Sequence, residues 1–190
     1  MKEKITIALI YGSAREGRFC DTVVDWALSE LATMKGFDMV IVDPAELVIS
    51  ASGLDASSQA LVEERIARAD AIIIVTPEYN HGYPAALKAM IDSVYRPWHA
   101  KPIGFIAYGG VSGGLRAVEQ LRQVFAELHA VTIRECVSLA HAWALFDPEG
   151  NPFRPAQLSG PLVAMMQRLL WWANTLKLAR EASVYDEAAA

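Results

Sequence analysis

The segment Gly12-Ser13-Ala14-Arg15-Glu16-Gly17-Arg18-Phe19-Cys20-Asp21 concentrates the residue types that hold an oxyanion. Glycines let the backbone come close, the Ser13 hydroxyl can donate, and peptide N–H groups at the start of a following helix point outward. Arg15 and Arg18 can add charge-assisted bonds. A phosphate monoester suits this inventory. The segment lacks the lysine and following hydroxyl of the G-x-x-x-x-G-K-[ST] loop and does not spell G-x-G-x-x-G, so nucleotide hydrolysis is disfavoured. Taken alone, Gly12-Ser13 could equally be a tight turn beside solvated arginines.

Two further segments offer chemistry on the scale of a ring. Thr76-Pro77-Glu78-Tyr79-Asn80-His81-Gly82-Tyr83-Pro84 combines two prolines, a glycine, an amide and two tyrosines, and Pro84 suits the first turn of a helix beginning near Ala85. Such a loop holds a rigid backbone against a flat heteroaromatic ring, with peptide N–H groups reading the ring's edge. Tyr108-Gly109-Gly110-Val111-Ser112-Gly113-Gly114 supplies glycines that permit close approach and positive φ before another helix. It makes a third wall. Each loop also has a plain explanation in the demands of turning from strand to helix.

These segments need a scaffold, and the apolar periodicity supplies one. Runs rich in β-branched residues at Ile5 to Tyr11, Met39 to Val42, Ala71 to Thr76, Ile103 to Tyr108 and Val131 to Arg134 predict five strands. Helical spacing lies between them, as in Val23, Ala27, Leu31 and Met34, or Val118, Leu121, Phe125 and Leu128. Strands alternating with helices imply right-handed crossovers and a doubly wound α/β fold, a parallel five-stranded sheet with helices on both faces. In strand order 2-1-3-4-5 the ligand crevice lies at the carboxyl ends of strands one and three. A closing helix from about Leu158 to Arg180 completes the last layer. Asp43 to Ser58 and Ala140 to Pro161 read as loops, and Asp186 to Ala190 as a frayed tail. No linker or repeat divides the chain, so residues 1–190 are expected to form a single domain.

With that strand order the three segments, after strands one, three and four, become neighbours, phosphate chemistry at one end and ring chemistry at the other. Flavin mononucleotide matches the layout. The residues resemble the NAD(P)H-dependent FMN reductases of flavodoxin-like fold, a group that includes quinone reductases, azoreductases and chromate reductases. Gly12-Ser13-Ala14-Arg15, Pro77-Glu78-Tyr79-Asn80-His81-Gly82 with Pro84-Ala85-Ala86-Leu87-Lys88, and Tyr108 to Gly114 carry the resemblance. It implies that Gly12, Ser13, Arg15, Arg18, Phe19 and Cys20 hold the FMN phosphate. It implies that Pro77, Glu78, Tyr79, Asn80 and His81 line the flavin ring largely through their backbone, and that Gly109, Gly110, Ser112 and Gly113 border it. Many members continue the first loop as R-x-x-S-x-N, where this chain has Arg15-Glu16-Gly17-Arg18-Phe19-Cys20. Arg18 and the backbone at Phe19 and Cys20 would have to compensate.

The implied activity is hydride transfer from NADH or NADPH to the bound flavin and then to a quinone, flavin, azo, nitro or oxyanion acceptor, a ping-pong cycle in which no side chain need be catalytic. A flavodoxin-like electron carrier without enzymatic activity is the alternative, and an interaction protein that kept the fold without a cofactor is a third. A homodimer, or a tetramer built from it, is the family expectation. Leu87, Met90, Ile91, Val94, Tyr95 and Trp98 offer an apolar surface for the contact, although packing on their own sheet explains several, and Tyr83, Tyr95, Trp98 and Trp143 are candidate walls for substrate. A thiol at a helix N-terminus can be activated, but a dianion beside Cys20 would oppose that, and a small residue at a crowded turn is the simpler reading. His81 and Glu78 are assigned no proton transfer. The stripe containing Trp171-Trp172 reads as core.

Composition narrows the remaining classes. The 190 residues are 53% hydrophobic and 21% charged, with mean hydropathy +0.22, which suits a folded chain. Seventeen Lys plus Arg against 22 Asp plus Glu give −5, leaving no broad basic surface for nucleic acid. Leu162 to Ala179 carries Gln167, Arg168, Asn174 and Lys177, too polar for a membrane span. Two distant cysteines and an N-terminal stretch without a signal-type pattern fit a reducing cytoplasm. His99, His129 and His141 show no ligand spacing, so no metal is expected.

Overall fold

The computed structural model describes residues 4–185. Five parallel strands, β1 (Ile5–Tyr11), β2 (Phe37–Val42), β5 (Ala71–Pro77), β6 (Pro102–Gly109) and β7 (Val131–Ala140), form one sheet. Its order is β2-β1-β5-β6-β7. Counting these five alone, the order is 2-1-3-4-5, the order expected of a flavodoxin-like sheet. The helices are α1 (Cys20–Ala32), α2 (Ala56–Arg68), α3 (Ala85–Asp92), α4 (Leu115–Glu127) and α5 (Pro155–Ala182). A small antiparallel hairpin, β3 (Ile49–Ser50) with β4 (Gly53–Leu54), interrupts the predicted loop before α2.

Side-chain alternation divides the core in two. Ile7, Leu9, Ile73, Val75 and Ile106 pack toward α1 and α5, while Ala8, Ile10, Ile72, Ile74 and Phe105 pack toward α2, α3 and α4. Both faces of β5 and β6 are therefore buried at every position, which is why those sequences are apolar throughout rather than alternating. Each fully buried Ile or Leu contributes about 1.5–3 kcal/mol.

The edges depart from the sequence reading. β7 continues past Arg134 to Ala140 because an edge strand can turn polar residues outward: Arg134 is exposed, and Glu135 pairs with Arg168 at 3.7 Å. α5 starts at Pro155, earlier than expected, and runs through Pro161. Pro155 fits the first turn, where no N–H is needed, while Pro161 gives up one internal bond. At the amino ends of the strands, Asp70 accepts from Thr6 N at 3.0 Å, Lys177 Nζ at 3.1 Å and Arg180 Nη2 at 3.2 Å, tying α5 to the sheet. The expected frayed segment Asp186 to Ala190 lies outside the described residues. Among those described, no helix is long and apolar enough to cross a membrane, and no cluster of His, Cys, Asp and Glu could hold a metal.

Candidate active site

The three loops follow the carboxyl ends of β1, β5 and β6, adjacent strands of the sheet. Direct bonds join them. Gly12 N donates to Val75 O at 2.7 Å, and a Cβ at Gly12 would stand 2.7 Å from that oxygen and 2.8 Å from Thr76 Cα. Only glycine lets the first loop lie against β5. Ser13, fully buried, shares a hydrogen bond of 3.0 Å with the Tyr79 hydroxyl, and the Arg15 guanidinium lies 3.7 Å from the centre of the Tyr79 ring.

The second and third loops are joined by Glu78. Its N–H donates to Tyr108 O at 3.0 Å. Its carboxylate accepts from Ser112 Oγ at 2.7 Å, Arg116 N at 3.1 Å and Arg116 Nη1 at 2.9 Å. Burial opposes the charge, but these donors outweigh it and hold the carboxyl below its usual value. Beyond Glu78 the chain closes a tight turn: Tyr79 and Gly82 exchange backbone bonds of 2.9 and 3.0 Å, with Asn80 and His81 both at positive φ. Such paired left-handed residues mark a type I′ turn. Gln120 Nε2 fixes it by donating to His81 O at 2.8 Å. At the far side, His141 N donates to Gly110 O at 2.9 Å.

The arrangement fits a phosphate-bearing flavin. α1 begins after Phe19 with no side-chain cap, and although Asp21 N bonds Arg18 O at 3.3 Å within the turn, the start of a helix points its N–H groups toward a ligand at that end. Among the described residues, none accepts the N–H groups of Ala14, Gly17, Arg18 or Phe19. Arg15 is exposed at the loop's rim, and nothing stands within 4 Å of where a Cβ of Gly110 would lie, so that backbone is open to a flat group.

Arg18 differs from its expected place. Its guanidinium turns inward onto both Asp43 oxygens, one contact through Nη1 at 2.6 Å, and also bonds Asp21 Oδ1 at 2.8 Å and Ser13 O. The side chain is only 8% exposed. It splints the loop to the end of β2, while Arg15 stays exposed at the loop's rim. Cys20 Sγ donates to Val75 O at 3.6 Å, and burial pushes the thiol up. It is a packing residue. Leu87, Met90, Ile91, Val94 and Trp98 are buried in their own chain, so among the proposed contact residues only Tyr95, 51% exposed, stays on the surface. Trp98 cannot be a substrate wall, because its Nε1 donates to Ile91 O and Val94 O beneath α3. Trp143 is exposed. In the stripe containing Trp171-Trp172, Leu162, Met165, Leu169 and Ala173 are buried as expected, whereas Trp171, read as core, is turned outward.

Asp43, Arg116 and Gln120 escaped the sequence reading. Each acts on a loop far away in the chain, and no local motif marks it.

The sequence pattern of the family described as NADPH-dependent FMN reductase matches residues 5–144, which include all three loops. The chain belongs to that family. It is thereby grouped with flavoprotein oxidoreductases. An NAD(P)H-dependent FMN reductase of Schizosaccharomyces pombe is 37% identical over 134 residues, 64% of this chain and 66% of that protein, just short of two thirds of its length. A quinone reductase of Pseudomonas putida is 32% identical over 163 residues, 80% of this chain and 86% of the relative. Among solved structures, FerB, a flavoenzyme NAD(P)H:(acceptor) oxidoreductase from Paracoccus denitrificans, superposes with a TM-score of 0.70 at 23% identity, covering 90% of this chain and 98% of that one. That likeness shows the shared flavodoxin-like fold.

Proposed function

We propose that this chain is an FMN-containing reductase that draws on NADH or NADPH and passes the electrons to a small-molecule acceptor, with quinones favoured over free flavins, azo dyes, nitroaromatics and oxyanions. The observation that carries the reading is the cross-linking of three loops at one crevice. Gly12, Ser13, Arg15 and the N–H groups of Arg18, Phe19 and Cys20 would hold the phosphate. Pro77, Glu78, Tyr79, Asn80 and His81, with Gly109, Gly110, Ser112 and Gly113, would enclose the ring. When bound, FMN supplies the hydride chemistry. The chain's part is to position: Tyr79 is pinned between Ser13 and Arg15, and Glu78 sets the spacing between two walls. Because Glu78 is an engaged carboxylate, it has no proton to give near neutral pH.

The quinone reductase relatives support that acceptor class. Both cysteines are free, which suits a reducing cytoplasm. A homodimer completes the proposal, with Val111, an exposed apolar side chain on the third crevice loop, available for the contact; light scattering of the purified protein tests it. Steady-state oxidation of NADH and NADPH with benzoquinone tests the activity. A yellow protein that accepts electrons but never turns over would instead be a carrier.

A further inference from the structure

Beside the crevice, a second cavity of about 340 Å³ opens at the same end of the sheet, within the range of small-ligand pockets. β7 ends at Ala140, and His141 N, next along, holds Gly110 O of the third crevice loop at 2.9 Å. Ala144, where the wall of the cavity starts, comes three residues later, no more than roughly 11 Å along the chain. The same segment also reaches the first crevice loop, because Phe146 packs edge-on to Phe19 at 5.8 Å. The cavity and the crevice are therefore neighbours. The matched family pattern ends at residue 144, so all but the first lining residue lie outside it.

Backbone bonds hold the wall in shape. Phe146 and Pro152 face each other in a β-bridge, and Phe153 N donates to Leu145 O at 3.0 Å. Asp147 closes the turn between them by accepting from Asn151 N at 2.7 Å and Glu149 N at 3.1 Å. This hairpin turns Phe146 inward, 5% exposed, and Phe153 outward, 65% exposed. Core packing explains Phe146 and not Phe153. Leu145, Phe153 and Leu158 make the apolar wall, and the polar lining is Arg154 and Gln157. Among the described residues, no carboxylate lines the cavity and no side chain or carbonyl engages the Arg154 guanidinium. Arg18, by contrast, is claimed by Asp43. An exposed aromatic ring, an amide that both donates and accepts, and an unengaged guanidinium together suit a purine bearing a phosphate.

On the reading that the crevice holds FMN and admits NADH or NADPH, we propose that this cavity takes the adenosine end of the reductant. Phe153 stacks on the purine, Gln157 reads its edge, and Arg154 binds the 2′-phosphate that distinguishes NADPH from NADH. The chain therefore prefers NADPH. A phosphate monoester carries about two negative charges near neutral pH, and a guanidinium meets two of its oxygens at once. The ribose hydroxyl of NADH offers no charge at that point. Because the contact is remote from the transferred hydride, it is made equally before and during the reaction, so its loss falls on KM rather than on kcat.

The test is calorimetric titration of the purified protein, in excess FMN to fill the crevice, with adenosine 2′,5′-bisphosphate and with adenosine 5′-monophosphate. The expected result is saturable one-to-one binding of the bisphosphate, at least about tenfold tighter than the monophosphate. Arg154→Gln should remove that difference, and Phe153→Ala should weaken both nucleotides. Arg168→Gln, exposed on α5 and paired with Glu135, should change neither. In steady-state oxidation with benzoquinone, Arg154→Gln should lower the ratio of kcat/KM for NADPH to that for NADH about tenfold, through KM. Circular dichroism checks each variant, and because Arg154 and Phe153 are exposed, neither change opens the core. No saturable binding, equal affinity for the two nucleotides, or an unchanged ratio in Arg154→Gln would overturn the proposal. Failure of both nicotinamides to turn over would overturn the crevice reading instead, since the bisphosphate titration reports on the cavity without hydride transfer.

Discussion

Replacing Glu78 with glutamine probes the joint between the two ring-facing loops while keeping shape. The native carboxylate accepts three bonds, at 2.7, 3.1 and 2.9 Å. A glutamine oxygen can retain Ser112 Oγ and Arg116 N, but its amide then presents N–H groups to the Arg116 guanidinium, donor against donor. Bonds to charged groups contribute about 1.5–3 kcal/mol each when buried. Here Glu78 is 7% exposed but Arg116 48%, so screening reduces the ion-pair share to about 0.5–1 kcal/mol. Adding weaker acceptance by a neutral oxygen gives a loss of about 1–2 kcal/mol, and at about 1.4 kcal/mol per factor of ten the FMN Kd should rise roughly 5- to 30-fold. Fluorescence quenching of FMN titrated with apoprotein measures this, with a thermal melt in parallel. The pH dependence has a definite sign. The Glu78 carboxyl lies below its ordinary 4.5 in the folded chain, so its contribution is complete above that pH and lost as pH falls through the lowered value. The Glu78→Gln variant lacks that acid limb. A Kd within twofold of the parent, or an unchanged acid limb in the variant, would refute the reasoning.

Arg15→Ala should weaken FMN retention about tenfold by equilibrium dialysis, with unaltered circular dichroism, because the guanidinium is exposed and contributes charge rather than core. Asp43→Ala should act on the fold as well: stranding the nearly buried Arg18 should cost about 3 kcal/mol in urea unfolding, whereas less than about 0.5 kcal/mol would mean that the pair does not splint the loop. Gly12→Ala should lower stability by about 2 kcal/mol or more, since its Cβ meets β5 backbone at 2.7 Å; a melt unchanged from the parent would contradict that. Cys20 should resist Ellman's reagent in the native state at pH 8, because burial raises its thiol pKa, and prompt labelling would show an open loop.

The central sheet was legible because β5 and β6 are buried on both faces, so Ile72, Ile73 and Ile74 appear as one unbroken apolar run. The edge was less so: Arg134 and Glu135 look like the end of β7 until solvent exposure on an edge strand is allowed for. The three crevice loops could be read because each is contiguous and rich in glycine or proline. Their joints could not. Asp43 meets Arg18 across 25 positions, Arg116 meets Glu78 across 38, and Gln120 meets His81 across 39, and nothing in local spacing selects such partners. The same limit explains Arg18, which suits an anion by type and position yet is claimed by a carboxylate from the end of β2. It also explains the face of α3, where Leu87, Met90 and Ile91 suit a subunit contact equally well until the sheet is seen to cover them.

One measurement reaches the core of the account. The absorbance spectrum of the purified protein, with the released chromophore identified and NADH or NADPH then added without oxygen, reports cofactor and reaction together. The expected result is a yellow band near 450 nm that extracts as FMN and bleaches on addition of at least one nicotinamide. A protein that stays colourless after incubation with FMN, or a flavin band that neither nicotinamide bleaches, would contradict it.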